Sequence, residues 1–342
     1  TQKATQAYSL PVTASWELDV FGRMRNSKKQ AKALYAQSED YRQAVRTQLI
    51  AGIANTYYTL LMLDEQLDLS RQTETAWKET VASTRALMNA GLANESAVSQ
   101  MEAAYYQVQS SVLDLQQQIS QVENSLALLL AETPRSYERG MLAKQQFPTD
   151  LSIGIPVRML SSRPDVRSAE RTLEAAFYGT NAARSAFYPS ITLSGSAGWT
   201  NSAGSLILNP GKFLASAVGS LTQPLFNKGQ VVAQYRIARA QQEEAALGFQ
   251  QTLLNAGSEV NDALIAYQTS QGKRLLLDKQ IASLQTALQS TSLLMEHGNT
   301  TYLEVLTSRQ SLLSAQLSQT ANHFTEIQSL INLYRALGGG QE

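Results

Sequence analysis

Apolar residues follow two different rhythms along this chain. From Tyr8 to Val20 they take every second position: Tyr8, Leu10, Val12, Ala14, Trp16, Leu18 and Val20 point one way, and Ser9, Pro11, Thr13, Ser15, Glu17 and Asp19 the other. That is the period of a strand with one apolar and one wet face. Ile191, Leu193, Ala197 and Trp199 repeat it, as do Phe213, Ala215, Ala217, Leu221 and Leu225 around Gly219. Between Met24 and Asn89 the step changes to three, four or seven. Leu34, Tyr41, Val45, Leu49, Ile53, Tyr57, Leu60, Leu61 and Leu67 draw a stripe along one helical face. A helix of that length reaches roughly 100 Å at about 1.5 Å per residue.

The long helical pattern occurs twice. Thr13 to Thr133 and Leu225 to Glu342 are both free of proline, and each is broken near its middle by a glycine after the same phrase, Leu87-Met88-Asn89-Ala90-Gly91 and Leu294-Met295-Glu296-His297-Gly298. The register holds at an offset of 205 to 207, since Phe21 matches Phe226, Asn55 matches Asn261 and Gly91 matches Gly298. A repeat this long is too large for a solenoid unit, so each copy is half of one subunit. The first copy (1–132) predicts a strand over 7–21, a long helix over 24–89, a tip at 90–95 capped by Asn94 or Ser96, and a return helix over 96–131. A linker follows at 133–155. The second copy (156–342) predicts a helix over 156–187, strands over 190–200 and 213–226, a long helix over 230–296, a tip at 297–301 and a return helix over 302–337. In the helix at 156–187, Pro164 suits a first turn and Asp165 the positive end of the dipole. The duplication also predicts that a helix and a strand, about 50 residues, precede Thr1 in the intact polypeptide.

Alternation by itself suits a half-buried strand of a soluble sheet as well as a strand between lipid and water. Each strand segment reaches the roughly 9 to 11 residues a tilted barrel strand needs to cross a bilayer. Tyr8, Trp16, Tyr188, Trp199 and Phe213 stand near segment ends, where interfacial aromatic girdles sit. A few such strands do not close a lipid-facing barrel, and an open edge is not tolerated in hydrocarbon, so several subunits are expected to share one barrel.

Composition narrows the function classes. The 28 basic and 28 acidic residues balance, which gives no basic face for nucleic acid. No run of 18 apolar residues is present, so no transmembrane helix is expected. Cysteine is absent, which removes thiol catalysis and thiolate metal sites. His297 and His323 have no neighbouring ligand set and read as surface residues. With no phosphate loop, nucleophile elbow or zinc spacing, neither an enzyme nor a cofactor is expected.

Five separated segments resemble one family: Trp16-Glu17-Leu18-Asp19-Val20-Phe21-Gly22-Arg23, Ser162-Arg163-Pro164-Asp165-Val166, Ala186-Phe187-Tyr188-Pro189-Ser190-Ile191, Gln223-Pro224-Leu225-Phe226, and Leu333-Tyr334-Arg335-Ala336-Leu337-Gly338-Gly339-Gly340. They look like the TolC family, and within it the lipoprotein branch of outer-membrane factors serving resistance-nodulation-division multidrug efflux pumps. The resemblance implies a mainly α fold with membrane β-strands. Long helical hairpins would form a trimeric α-barrel tunnel beneath a shared twelve-stranded β-barrel, four strands per subunit, of which three are visible here. It implies a Gram-negative outer-membrane location reaching into the periplasm, a homotrimer in outer-membrane lipid, a periplasmic adaptor, and an inner-membrane transporter as energy source. The branch's lipidated cysteine is not in this sequence.

By its residues alone, each hairpin tip is a helix stop with a glycine cap. The resemblance implies that Gly91, Leu92, Ala93, Asn94, Gly298, Asn299 and Thr300 contact the adaptor. It also places a periplasmic gate just past the second tip, where the family has a leucine and, four residues on, an aspartate. Here these positions are Leu303 and Thr307, and Glu304 offers an acidic ring in place of the missing carboxylate. The expected function is a passive, gated exit duct for efflux. Its rivals are a type I protein-secretion duct of the same fold and a soluble periplasmic coiled-coil adaptor or scaffold.

Overall fold

The computed structural model describes residues 8–91, 93–145, 161–201, 213–224, 226–297 and 301–339. In chain order these form β1 (Tyr8–Leu18), α1 (Arg23–Asn89), α2 (Glu95–Leu129), a short 3-10 turn (Leu142–Lys144), α3 (Pro164–Ser185), β2 (Ser190–Asn201), β3 (Phe213–Thr222), α4 (Gln230–Glu296) and α5 (Tyr302–Ala336). Both outgoing helices have 67 residues and both returning ones 35. The duplication therefore holds in element length as well as in phrase.

Element ends depart from the sequence reading where a side chain or a proline intervenes. β1 stops at Leu18 and not at residue 21, because the Asp19 carboxylate turns to cap α1, accepting from the Met24 and Arg25 amides at 2.9 and 2.8 Å. The helix expected over 156–187 begins at Pro164. The residue before a proline is steered away from helical backbone, and Val166 N–H bonds the Asp165 carboxylate at 2.9 Å. Residues 146–160, which hold the rest of that expected helix and part of the linker, lie outside the described residues. β3 ends at Thr222, two residues before Pro224, and does not run on to 226. At the first tip Gly91 adopts a φ of 76°, its amide reaching Met88 O at 2.9 Å, and Asn94 caps α2 by accepting from Ala97 N–H at 2.9 Å.

The chain divides into two compact units, Thr1–Tyr41 with Asp165–Thr252, and Arg42–Pro164 with Leu253–Glu342. Each unit takes a share of both copies. Contacts in hairpins this long run sideways between helices, so a compact unit gathers neighbouring stretches from both halves.

In the first unit, β1, β2 and β3 pair antiparallel in that order. α3 lies against the opening turns of α1, where Gln37 donates to Thr172 Oγ1 at 2.9 Å and Asp40, almost wholly buried, pairs with Arg167. It also lies against the opening turns of α4, where Thr180 donates to Ala238 O at 3.0 Å.

In the second unit four small apolar clusters hold α1, α2, α4 and α5 together. Leu60 and Leu63 of α1 meet Ile119 and Leu126 of α2; Trp77 meets Met101, Ala104 and Val108; Leu61 meets Leu142 and Ile327; Val260 and Ala263 meet Leu333 and Ala336. The lower part of the predicted α1 stripe is thus core. Its upper part, Leu34, Tyr41, Val45 and Leu49, is exposed in this single chain.

Two of the sequence motifs meet here. Arg163, buried, donates to Ala336 O at 3.1 Å and to Glu259 at 2.8 Å, while Ser162 Oγ donates to Leu337 O at 3.4 Å. They close the C-terminal carbonyls of α5, where a cation is favoured. A third clasp is Arg139, which hydrogen-bonds Asp64 of α1 at 3.0 Å and Glu123 of α2 at 2.6 Å.

Candidate functional site

The sheet sorts its side chains by register. One face carries the rungs Leu10–Trp199, Val12–Ala197–Ala215, Ala14–Gly195–Ala217, Trp16–Leu193–Gly219 and Leu18–Ile191–Leu221. The other carries Thr13–Ser196–Ser216, Ser15–Ser194–Val218 and Glu17–Thr192–Ser220. Ser196 and Ser216 hydroxyls bond each other at 2.7 Å on that polar face. The apolar face is bare: Val12 is 73% exposed, Leu10 72% and Trp16 65%. A soluble half-buried sheet covers its apolar side with another layer, and an uncovered one of this size marks a membrane or a partner. Among the described residues no helix is long and apolar enough to cross a membrane, so any crossing falls to the strands.

Trp16, Tyr188 and Trp199 are all exposed, and Phe21 stacks on Tyr188 with ring centroids 4.7 Å apart. Phe226, just past the sheet, is 98% exposed. The backbones of Tyr8 and Phe213 end their strands, while their side chains lie outside the described residues.

In the second unit, α5 presents two contrasting sides. Tyr302, Leu306 and Leu313 pack against the Trp77–Met101–Ala104–Val108 cluster, and Val305 is buried. Leu303, Glu304 and Thr307 all face away, exposed, with Thr307 Oγ1 donating back to Leu303 O at 2.8 Å. Of the tip residues, Gly91, Ala93 and Asn94 form the α1–α2 turn; Leu92, Gly298, Asn299 and Thr300 lie outside the described residues.

No periodicity or motif pointed to Arg309, whose guanidinium sits 5.8 Å over the Trp77 ring. Burial pulls it below the ordinary arginine range against the pull of Glu79, and its Nε is buried without a hydrogen-bond partner among the described residues. Beside it, Trp77, Val108, Leu313 and Leu317 line a groove of about 530 Å³ between α1, α2 and α5. Among the described residues no cluster of histidines and carboxylates has the makings of a metal site.

Comparison with known proteins decides what this arrangement is. The family model described as outer membrane efflux protein matches residues 1–132 and 155–339. The chain belongs to the outer membrane efflux protein family. Within that family it is 29% identical to the cation efflux system protein CusC of Escherichia coli K12, over 98% of this chain and 74% of CusC. It is 32% identical to the toluene efflux pump outer membrane protein TtgI of Pseudomonas putida, over 97% of this chain and 71% of TtgI. The solved outer-membrane channel OprN superposes with a TM-score of 0.93 at 28% identity, covering 98% of this chain and 76% of OprN. The family resemblance read from five motifs holds. This outer membrane efflux protein has a TolC-like fold, mainly helical with a small sheet, and is the outer-membrane channel part of an efflux system.

Proposed function

We propose that this outer membrane efflux protein works as one subunit of a homotrimer, a passive duct whose strands join those of two other copies in one barrel around a water-filled axis. The observation that carries this is the sheet: one bare apolar face and one face mostly of serine, threonine and glutamate with Val218 among them, which together fit lipid outside and water inside. A soluble coiled-coil scaffold has no use for that face. The duct itself holds no energy source, so an inner-membrane resistance-nodulation-division transporter drives export and a periplasmic adaptor joins the two. The adaptor contacts the tips at Gly91, Leu92, Ala93, Asn94, Gly298, Asn299 and Thr300. Relatives are named for cations and for toluene. A wall of hydroxyls has no group selective for either cargo, which fits a choice of substrate made by the transporter.

Leu303, Glu304 and Thr307 line the gate. Their exposure on the side of α5 turned away from the Trp77 cluster supports this, because three copies of that side brought to one axis make a narrow ring. Single-channel recording of reconstituted trimers tests both parts. Wild-type protein inserts and conducts weakly at rest, and Leu303→Ala or Glu304→Lys raises that resting conductance. Insertion with unchanged conductance in both variants refutes the gate, and failure of wild-type protein to conduct refutes the duct.

A further inference from the structure

The first three turns of α1 carry an unusual charge pattern. Arg25, Lys28, Lys29 and Lys32 stand at i, i+3, i+4 and i+7, so they share one side of the helix within an arc of about 100°. No acidic residue occupies the first helical turn. Cations at a helix N-terminus oppose its dipole, so this placement works against the helix it sits on. Arg25 leans on Asp19 at 3.3 Å and Lys29 lies 5.3 Å over the Tyr178 ring of α3. The three lysines are exposed and have no ion pair among the described residues.

The direction of this strip follows from Arg23. That guanidinium bonds Glu17 at 2.8 Å, and Glu17 belongs to the polar face of β1. At about 100° per residue the centre of the strip lies some 170° around the helix from Arg23, the residue that reaches the polar face. Val20, Phe21 and Met24, which lie in sequence between β1 and the strip, are exposed apolar residues.

We propose that Arg25, Lys28, Lys29 and Lys32 hold the phosphate groups of anionic phospholipids bordering the barrel, fixing the depth at which the protein sits in its membrane. Charge complementarity and continuity with the apolar face argue for lipid: a basic strip directly beyond a membrane-facing surface meets the headgroup layer. The inference rests on the reading of the sheet as a membrane surface, and the test separates the two.

The full chain is reconstituted into phosphatidylcholine vesicles with and without phosphatidylglycerol, re-extracted in mild detergent, and weighed by native mass spectrometry for retained lipid. Wild-type protein retains phosphatidylglycerol over phosphatidylcholine. The variant Lys28→Gln/Lys29→Gln/Lys32→Gln retains about tenfold less of it, while Lys78→Gln/Lys273→Gln/Lys279→Gln, which removes the same charge from exposed positions of the second unit, behaves as wild type. Equal retention of both lipids by wild-type protein, or equal loss in both variants, overturns the proposal. A changed ion selectivity of the first variant with unchanged lipid retention overturns it too, by placing the strip in the lumen. Failure of wild-type protein to enter either vesicle instead overturns the membrane reading beneath it.

Discussion

At the scale of single residues, Arg139 has most to say about how the helices are held. It reaches from the linker to Asp64 on α1 and Glu123 on α2 with only 14% of its side chain exposed. Arg139→Ala leaves two carboxylates facing each other without a cation, and thermal unfolding should report a loss of about 3 kcal/mol. Burial works against the Glu123 charge, but hydrogen bonds from Arg139 and Ser136 outweigh it and hold the carboxyl below its ordinary value of 4.5. A carboxyl with a lower pKa folded than unfolded stabilises the fold fully above the unfolded value, and loses that role as pH falls through the folded one. The difference in melting temperature between wild type and Glu123→Gln should therefore be complete at neutral pH and shrink below pH 4.5. A pH-independent difference would contradict this. Gly338 is the other telling residue: it holds a φ of 77°, and a Cβ there would lie 3.2 Å from the Arg163 backbone. Gly338→Ala should cost about 1–2 kcal/mol from the left-handed backbone alone. The motifs around Arg163 and Gly338 were visible in the sequence, yet their meeting was not. Arg139 was invisible altogether, because an ion pair spanning 75 residues leaves no periodic trace.

At the scale of elements, the long helices and the strands were legible because each obeys one period over many residues. Their ends were less so. Asp19 to Gly22 lies between strand and helix, and the Asp19 carboxylate marks where the helix begins. The alternation that made the strands legible also makes them fragile. Deleting Ser194 shifts the rest of β2 by one position and turns Ala197 and Trp199 out of the common face they share with Ile191 and Leu193 by register. Membrane fractionation should show the deletion protein failing to reach a heat-modifiable assembled form. In the helices, Trp77 is 1% exposed and joins α1, α2 and α5 beneath Arg309. Trp77→Ala should weaken that junction by about 3–5 kcal/mol. If α5 moves against α1 in opening, resting conductance should rise with it. The lower α1 stripe was read correctly as packing; its upper part, from Leu34 to Leu49, remained exposed because one chain does not bury it.

For the whole molecule the solvent changes from place to place, and this alters how exposure is read. Val12 and Thr13 are neighbours on opposite faces of β1. Were both faces in water, a lysine at either would shift stability by less than about 0.5 kcal/mol. With lipid on one side, Val12→Lys should cost about 2–4 kcal/mol, and Thr13→Lys should leave the fold intact and alter ion selectivity. Folding into lipid vesicles, followed by denaturant titration of both variants, checks this.

The matched lengths of the two copies carry a constraint on change over evolutionary time. Since α1 equals α4 and α2 equals α5 residue for residue in span, a lineage that lengthens or shortens one rod throws its end out of step with its twin. Reach can then be altered only by paired insertions or deletions, whereas exposed side chains along the rods remain free to drift one at a time.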